Sequence, residues 1–215
     1  MRVAPSGIDG VPEPLQALVF VGCYAGLGAG TLAATAGLDA ARSAVCASST
    51  TGAELWRKFI SGVPAVGALF FLAGVSHFTS AGAFEAIYPP IGTWGIWYLP
   101  GPAAFHVAWT GLAEVVLGGG LLAGGLASWF ELETPFRWLT PAAAAGLFLL
   151  TLAVTPANIY MYTHGATMTG LGPPGDLAVS FHYVRFAIQV ALLSLLATLA
   201  KESFFFAWGD EVDPS

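Results

Sequence analysis

Six stretches of this 215-residue chain carry no Asp, Glu, Lys or Arg, and together they make up most of its length. They run Pro14–Leu38, Phe59–Phe84, Ala86–Ala113, Val115–Phe130, Trp138–Gly175 and Phe186–Ala200. A hydrocarbon core about 30 Å thick is crossed by roughly 20 apolar residues in a helix, and several of these intervals reach that length. None alternates polar and apolar residues with a period of two, which argues against a transmembrane β-barrel. Charged residues are 9 % of the chain and apolar ones 56 %, whereas a soluble domain carries roughly 25 % charge. Too few charges remain to cover a soluble surface, and the apolar content is far above that of a disordered chain. A net charge of −6 with only seven basic residues lacks the basic footprint that nucleic acid requires. The chain reads as an integral, multi-pass membrane protein.

Four spans stand out. They cover about Ile60–His77, Ala103–Leu122, Trp138–Asn158 and Leu177–Ala200, the second of them preceded by the helix-hostile Leu99-Pro100-Gly101-Pro102. A fifth, Leu15–Leu38, holds Gly22, Gly26 and Gly30 at i, i+4 and i+8, a bare stripe of the kind that lets helices approach closely in lipid. A targeting segment is the competing reading of residues 1–38, with Ala33-Ala34-Thr35-Ala36 as the small-residue cleavage signal. The acidic leader with Asp9 and Glu13, and the length of the apolar run, oppose it. The expected fold is all-α: a polytopic membrane four-helix bundle over residues 60–201, with one additional N-terminal transmembrane helix in an extension over residues 1–59. Residues 202–215 form a polar tail.

Basic residues orient the spans. Arg42, Arg57 and Lys58 precede the span at 60–77, Arg137 lies between the next two, and Lys201 follows the last. The loops Phe78–Pro102 and Ile159–Asp176 contain no Lys or Arg. By the positive-inside rule the N-terminus lies outside and the C-terminus on the cytoplasmic-equivalent side. Tyr88, Trp94, Trp97 and Tyr98 are placed for an aromatic belt at the outer interface, and Phe204–Trp208 for an anchor at the inner one. Cys23 and Cys46 give no paired framework.

Ionisable groups at membrane depth are costly and point to function. His106, Thr110 and Glu114 share one helical face, and His182, Arg185 and Gln189 share another. His77 and Asn158 fall at the outer ends of their spans. Glu114 and Arg185 have similar depths, so the simplest electrostatic expectation is that they pair. Two roles stay open for this group. One is an internal polar clasp that fixes helix register; the other is a small polar pocket open to the outer face, taking a quinone, a lipid headgroup or a proton. His77, His106 and His182 could supply axial haem ligands, but no spacing selects a pair. No metal site is indicated, no nucleophile sits beside a base, and Gly118-Gly119-Gly120 reads as helix packing.

Ala73–Phe78 followed by Phe84–Pro90 resembles the first helix and following loop of DoxX-like membrane proteins. Gly111–Leu122, with its glutamate and glycine run, is similar to their second helix. Pro156-Ala157-Asn158 resembles the end of the third, and Arg185 with Gln189 the polar start of the fourth. The resemblance covers about Ile60–Lys201 and implies a compact four-helix membrane bundle. It also implies an association with thiosulfate:quinone oxidoreduction, with other membrane redox assemblies or with assembly chaperones. Residues 1–59 and the long loop Gly124–Arg137 depart from the family pattern and read as partner-binding surface. The leading functional expectation is an accessory or assembly subunit of a larger, bioenergetic membrane complex, with membrane lipid and a membrane protein as partners. The alternatives are a quinone-linked membrane oxidoreductase subunit and a lipophilic-substrate enzyme of the sterol-isomerase kind.

Overall fold

The computed structural model describes residues 6–61, 64–130, 132, 138–170 and 177–208, with the side chains at 57–61 and 206–208 excepted. Arg137 and the tail after Trp208 lie outside the described residues, as do the side chains of Arg57, Lys58 and Phe206–Trp208. Seven α-helices and no strand are found among the described residues. They are α1 Glu13–Ser48, α2 Thr50–Ser61, α3 Pro64–Thr79, α4 Ala81–Glu85, α5 Ala103–Trp129, α6 Leu139–His164 and α7 Val179–Trp208. Helices α1, α5, α6 and α7 are long and apolar enough to cross a membrane. With 16 residues, α3 reaches roughly 24 Å, short of a full hydrocarbon core.

Several elements differ from the sequence-based expectation. The span expected over Ile60–His77 is the shorter α3, and α5 runs on to Trp129 through part of the expected loop Gly124–Arg137. The charged stretch after the N-terminal span is a helix: α2 is amphipathic, with Leu55 exposed and Trp56 packed on the bundle core. It folds back on α1 at Gly52, where a Cβ would collide with the Val45 carbonyl. The span expected to stop at Asn158 continues to His164, although Pro156 stands inside it. Proline has no N–H to bond the carbonyl four residues earlier, which here is that of Leu152. The Tyr24 hydroxyl of α1 donates to that oxygen at 3.0 Å, so the helix runs on with its backbone satisfied.

Chain direction alternates through α1, α3, α5, α6 and α7, which leaves α1 and α7 parallel. Their contacts step along together. Gly26 faces the Phe186 ring, Gly30 faces Val190, and Ser194 Oγ donates to the Thr31 carbonyl at 3.2 Å. At the far end Lys201 pairs with Asp39 at 2.5 Å and Arg42 with Glu202 at 2.7 Å. The expected glycine stripe is therefore only partly a packing face. Gly26 and Gly30 receive side chains of α7, and Gly22 has nothing within 4 Å of where a Cβ would lie.

The closest helix approach is between α3 and α5. A Cβ on Gly74 would lie 2.7 Å from the Gly111 carbonyl, and one on Gly118 would lie 2.5 Å from the Phe71 nitrogen. Gly67 likewise faces the Leu122 backbone. Four glycines on two antiparallel helices thus let the backbones touch, the association mode that lipid favours. Below this seam Phe70, Leu121, Leu147, Leu150, Leu196 and Leu199 form the buried core. The chain reversals between α3 and α5 and between α6 and α7 lie at the opposite end, where α1 and α7 begin.

Gly74→Ala and Gly111→Ala should each lower bundle stability by about 1–3 kcal/mol through overpacking, whereas Gly28→Ala, with open space around it, should be neutral. Thermal unfolding in detergent measures both. Tyr24→Phe should cost about 1–3 kcal/mol in the same assay, because the Leu152 carbonyl loses its donor.

Candidate functional site

Inside the end of the bundle where α1 and α7 begin lies a cavity of about 310 Å³, walled by α3, α5, α6, α7 and the segment 86–102. His77, His106, Glu114, Asn158, Arg185 and Gln189 all line it. Six of the seven residues expected to form a polar pocket therefore meet here. The seventh, His182, lines a neighbouring cavity between α1, α6 and α7.

The expected pairing is corrected by the geometry. Glu114 does not contact Arg185; its ionisable neighbour is His77, with Nε2 3.5 Å from Oε2 and both side chains about nine-tenths buried. Matching depth places two residues at one level of the membrane but leaves their angular positions open, and α3 lies closer to Glu114 than α7 does. The glycine seam makes the meeting possible. A Cβ on Gly111 would lie 2.5 Å from His77 Cβ, and one on Gly74 would lie 2.8 Å from Glu114 Cβ. His77 Nδ1 sits 3.0 Å from the Val107 carbonyl. A carbonyl only accepts, so Nδ1 carries the hydrogen and Nε2 turns its other position toward the carboxyl. At 3.5 Å the two groups are neighbours but no hydrogen bond closes between Nε2 and Oε2, so Oε2 is buried without a hydrogen-bond partner.

Arg185 has a different surrounding. Its Nη1 approaches Met161 Sδ at 2.6 Å, and among the described residues no carboxylate lies within ion-pair distance. A guanidinium has five N–H donors and a thioether is a weak acceptor, so most of its capacity is unspent. Asn158 Nδ2 donates to Gln189 Oε1 at 3.1 Å, and Gln189 Nε2 donates to Thr155 Oγ1 at 2.6 Å. These two amides and Arg185 line both cavities and form the partition between them.

His106 is held rather than free. Its Nε2 lies 2.9 Å from the Pro100 carbonyl, and its Nδ1 accepts from Trp109 Nε1 at 3.2 Å. This neutral ring ties the segment 86–102 to α5, and Tyr88 stacks on it at 4.9 Å between centroids.

The aromatic residues expected in an interfacial belt form the roof of the cavity instead. Only Tyr98, 67 % exposed, fits the belt. Trp94 is 1 % exposed, with Nε1 donating to Thr163 Oγ1 at 3.0 Å and its ring 4.5 Å from that of Phe20. Its backbone is left-handed at φ 58°, which costs roughly 1–2 kcal/mol outside glycine and is compensated by the burial of a large ring. Tyr88 and Trp97 line the cavity, and the Tyr88 hydroxyl and Trp97 Nε1 are buried without a hydrogen-bond partner. Desolvation pushes the Tyr88 phenol above its ordinary pKa, so it stays a neutral donor. Sequence reasoning missed Tyr88 and Trp97 as cavity residues and Met161 as the partner of Arg185. The absence of charge from 86–102 was the signal that this segment could fold inward.

Comparison with protein-family models, with curated proteins and with solved structures finds no match. The site therefore rests on its own chemistry. Tyr88, Trp97 and Glu114 line one apolar chamber, and each has a buried polar atom without a hydrogen-bond partner. A neutral molecule with oxygen atoms at two places would answer them.

Trp94→Leu removes the Thr163 hydrogen bond and leaves a void, so it should destabilise the roof by about 3 kcal/mol. Faster amide hydrogen exchange confined to residues 86–102 is the expected reading.

Proposed function

We propose that this multi-pass membrane protein binds a quinone-type molecule in the cavity beneath the 86–102 roof, as a subunit of a larger membrane redox assembly. The observation that carries it is the set of unpartnered polar atoms around one apolar chamber: Glu114 Oε2, the Tyr88 hydroxyl and Trp97 Nε1. Ligand sites are mostly apolar with a few convergent polar groups, in volumes of about 300–1,000 Å³. A quinone ring offers two carbonyl oxygens on opposite edges, both acceptors: one for the roof donors and one for the O–H of Glu114 in its protonated form. When such a ring is reduced its oxygens take up protons, and the Glu114–His77 pair holds one at hydrogen-bonding reach. The electrons come from a partner protein, which is the sense in which the chain is an accessory subunit. The DoxX-like motifs at 73–90, 111–122, 156–158 and 185–189 agree with that role. By the distribution of Lys and Arg, the roof and the N-terminus face the non-cytoplasmic side.

Trp97 and Trp109 line the cavity, so their fluorescence reports occupancy. Decylubiquinone should quench the purified protein saturably, and Trp97→Phe should remove part of the signal. Glu114→Gln, which replaces the acid O–H by an amide donor, should weaken binding about fivefold, within the ~0.5–1.5 kcal/mol worth of one neutral hydrogen bond. Quenching that never saturates and is equal in all three proteins would exclude a quinone site. Displacement by cholesterol but not by quinone would assign the chamber to a sterol. Purification in mild detergent should recover a stoichiometric membrane-protein partner.

A further inference from the structure

The second cavity, about 360 Å³ between α1, α6 and α7, has a chemistry of its own. Val19 on α1, Tyr162 on α6 and Arg185 on α7 line it, and each lies within two turns of the end of its helix on the roof side. This is the depth at which arginine reaches the headgroup region of a bilayer. Its polar lining is Arg185, His182, Tyr162 and Tyr183, together with Cys23, Thr155 and the partition amides, and no carboxylate is among the lining residues. His182 is 8 % exposed. Its ring packs against those of Tyr162 and Phe181, and among the described residues it makes no hydrogen bond. Arg185, as described above, has only a thioether for a partner. Deeper along α1 the lining turns apolar at Gly22 and Leu27, and Gly22 leaves open space where a side chain would stand.

We propose that this cavity is a binding site for one acidic phospholipid. Its phosphate is held by Arg185 with His182 and the tyrosine hydroxyls as further donors, and one acyl chain lies along the exposed surface of α1 at Gly22. Charge decides the class of lipid. A half-buried guanidinium without a carboxylate is a strong acceptor-seeking group, and its planar fork matches phosphate bidentately. A headgroup carrying an ammonium would bring a second cation into a pocket with no anion to receive it, so phosphatidylglycerol is favoured over phosphatidylcholine. The glycine at 22 then has a use that packing does not give it: it leaves room beside the cavity for the start of the chain.

The proposal stands independently of the quinone reading, because it uses the opposite side of the partition. Native mass spectrometry of the full chain in detergent, titrated with dioleoyl-phosphatidylglycerol or dioleoyl-phosphatidylcholine, tests it. The expected result is one tightly held phosphatidylglycerol and at least about tenfold weaker phosphatidylcholine, the margin that one charge-assisted contact supplies. Arg185→Gln should abolish the preference, and His182→Leu and Gly22→Leu should each weaken phosphatidylglycerol several-fold. Glu114→Gln, which faces only the first cavity, should leave lipid binding unchanged. Should Arg185→Gln not fold, His182→Leu and Gly22→Leu still decide the matter. Equal binding of the two lipids, or palmitate displacing phosphatidylglycerol at equimolar concentration, would overturn the proposal. So would a loss in Glu114→Gln as large as in His182→Leu.

Discussion

Everything at the polar end of this bundle depends on the contact between α3 and α5. Helices in lipid gain nothing from hiding apolar side chains from each other, so close packing must come from backbone approach. Gly67, Gly74, Gly111 and Gly118 provide it, and each stands where a Cβ would enter the opposing helix. The consequence is chemical as well as mechanical. With Gly74 and Gly111 at the crossing, His77 and Glu114 are carried into each other's reach at 3.5 Å. Separating the helices by the width of a methyl group would end that contact.

The molecule treats its charges differently at its two ends. Away from the roof, Asp39, Arg42, Lys201 and Glu202 are matched across α1 and α7. Such pairs neutralise themselves and hold the helices in register. Beneath the roof, Glu114 and Arg185 line one chamber without pairing, Glu114 beside His77 and Arg185 against Met161. Unmatched charge in a low-dielectric interior is expensive and persists only where something else provides for it. The far end of the bundle is thus built to hold together, and the near end is built around empty volume.

Much of this was legible from charge alone. The uncharged intervals located α1, α5, α6 and α7, and the helical spacing of His106, Thr110 and Glu114 placed them on one buried face. What the sequence could not give was direction around the helix axis. Glu114 and Arg185 lie at matched depth, yet depth does not say which neighbour a side chain turns toward, and α3 had the prior claim. The glycines misled for a related reason. Gly22, Gly26 and Gly30 form the more regular pattern, but the tight seam uses Gly67 and Gly74 against Gly111 and Gly118, spaced at seven residues on each helix. Trp94 and Trp97 resemble interfacial residues by composition, and only the fold reveals that a loop without charge has turned inward.

The Tyr24–Leu152 hydrogen bond has a bearing on biogenesis. In water an orphaned carbonyl beside a proline is solvated at no cost; inside hydrocarbon it has no such recourse. Helix α6 therefore enters the membrane with a backbone defect at Pro156 that the Tyr24 hydroxyl of α1 mends, and α1 is made before α6. Helix α1 is in this sense an internal chaperone for a later one, waiting in the bilayer with a hydroxyl for a helix not yet synthesised.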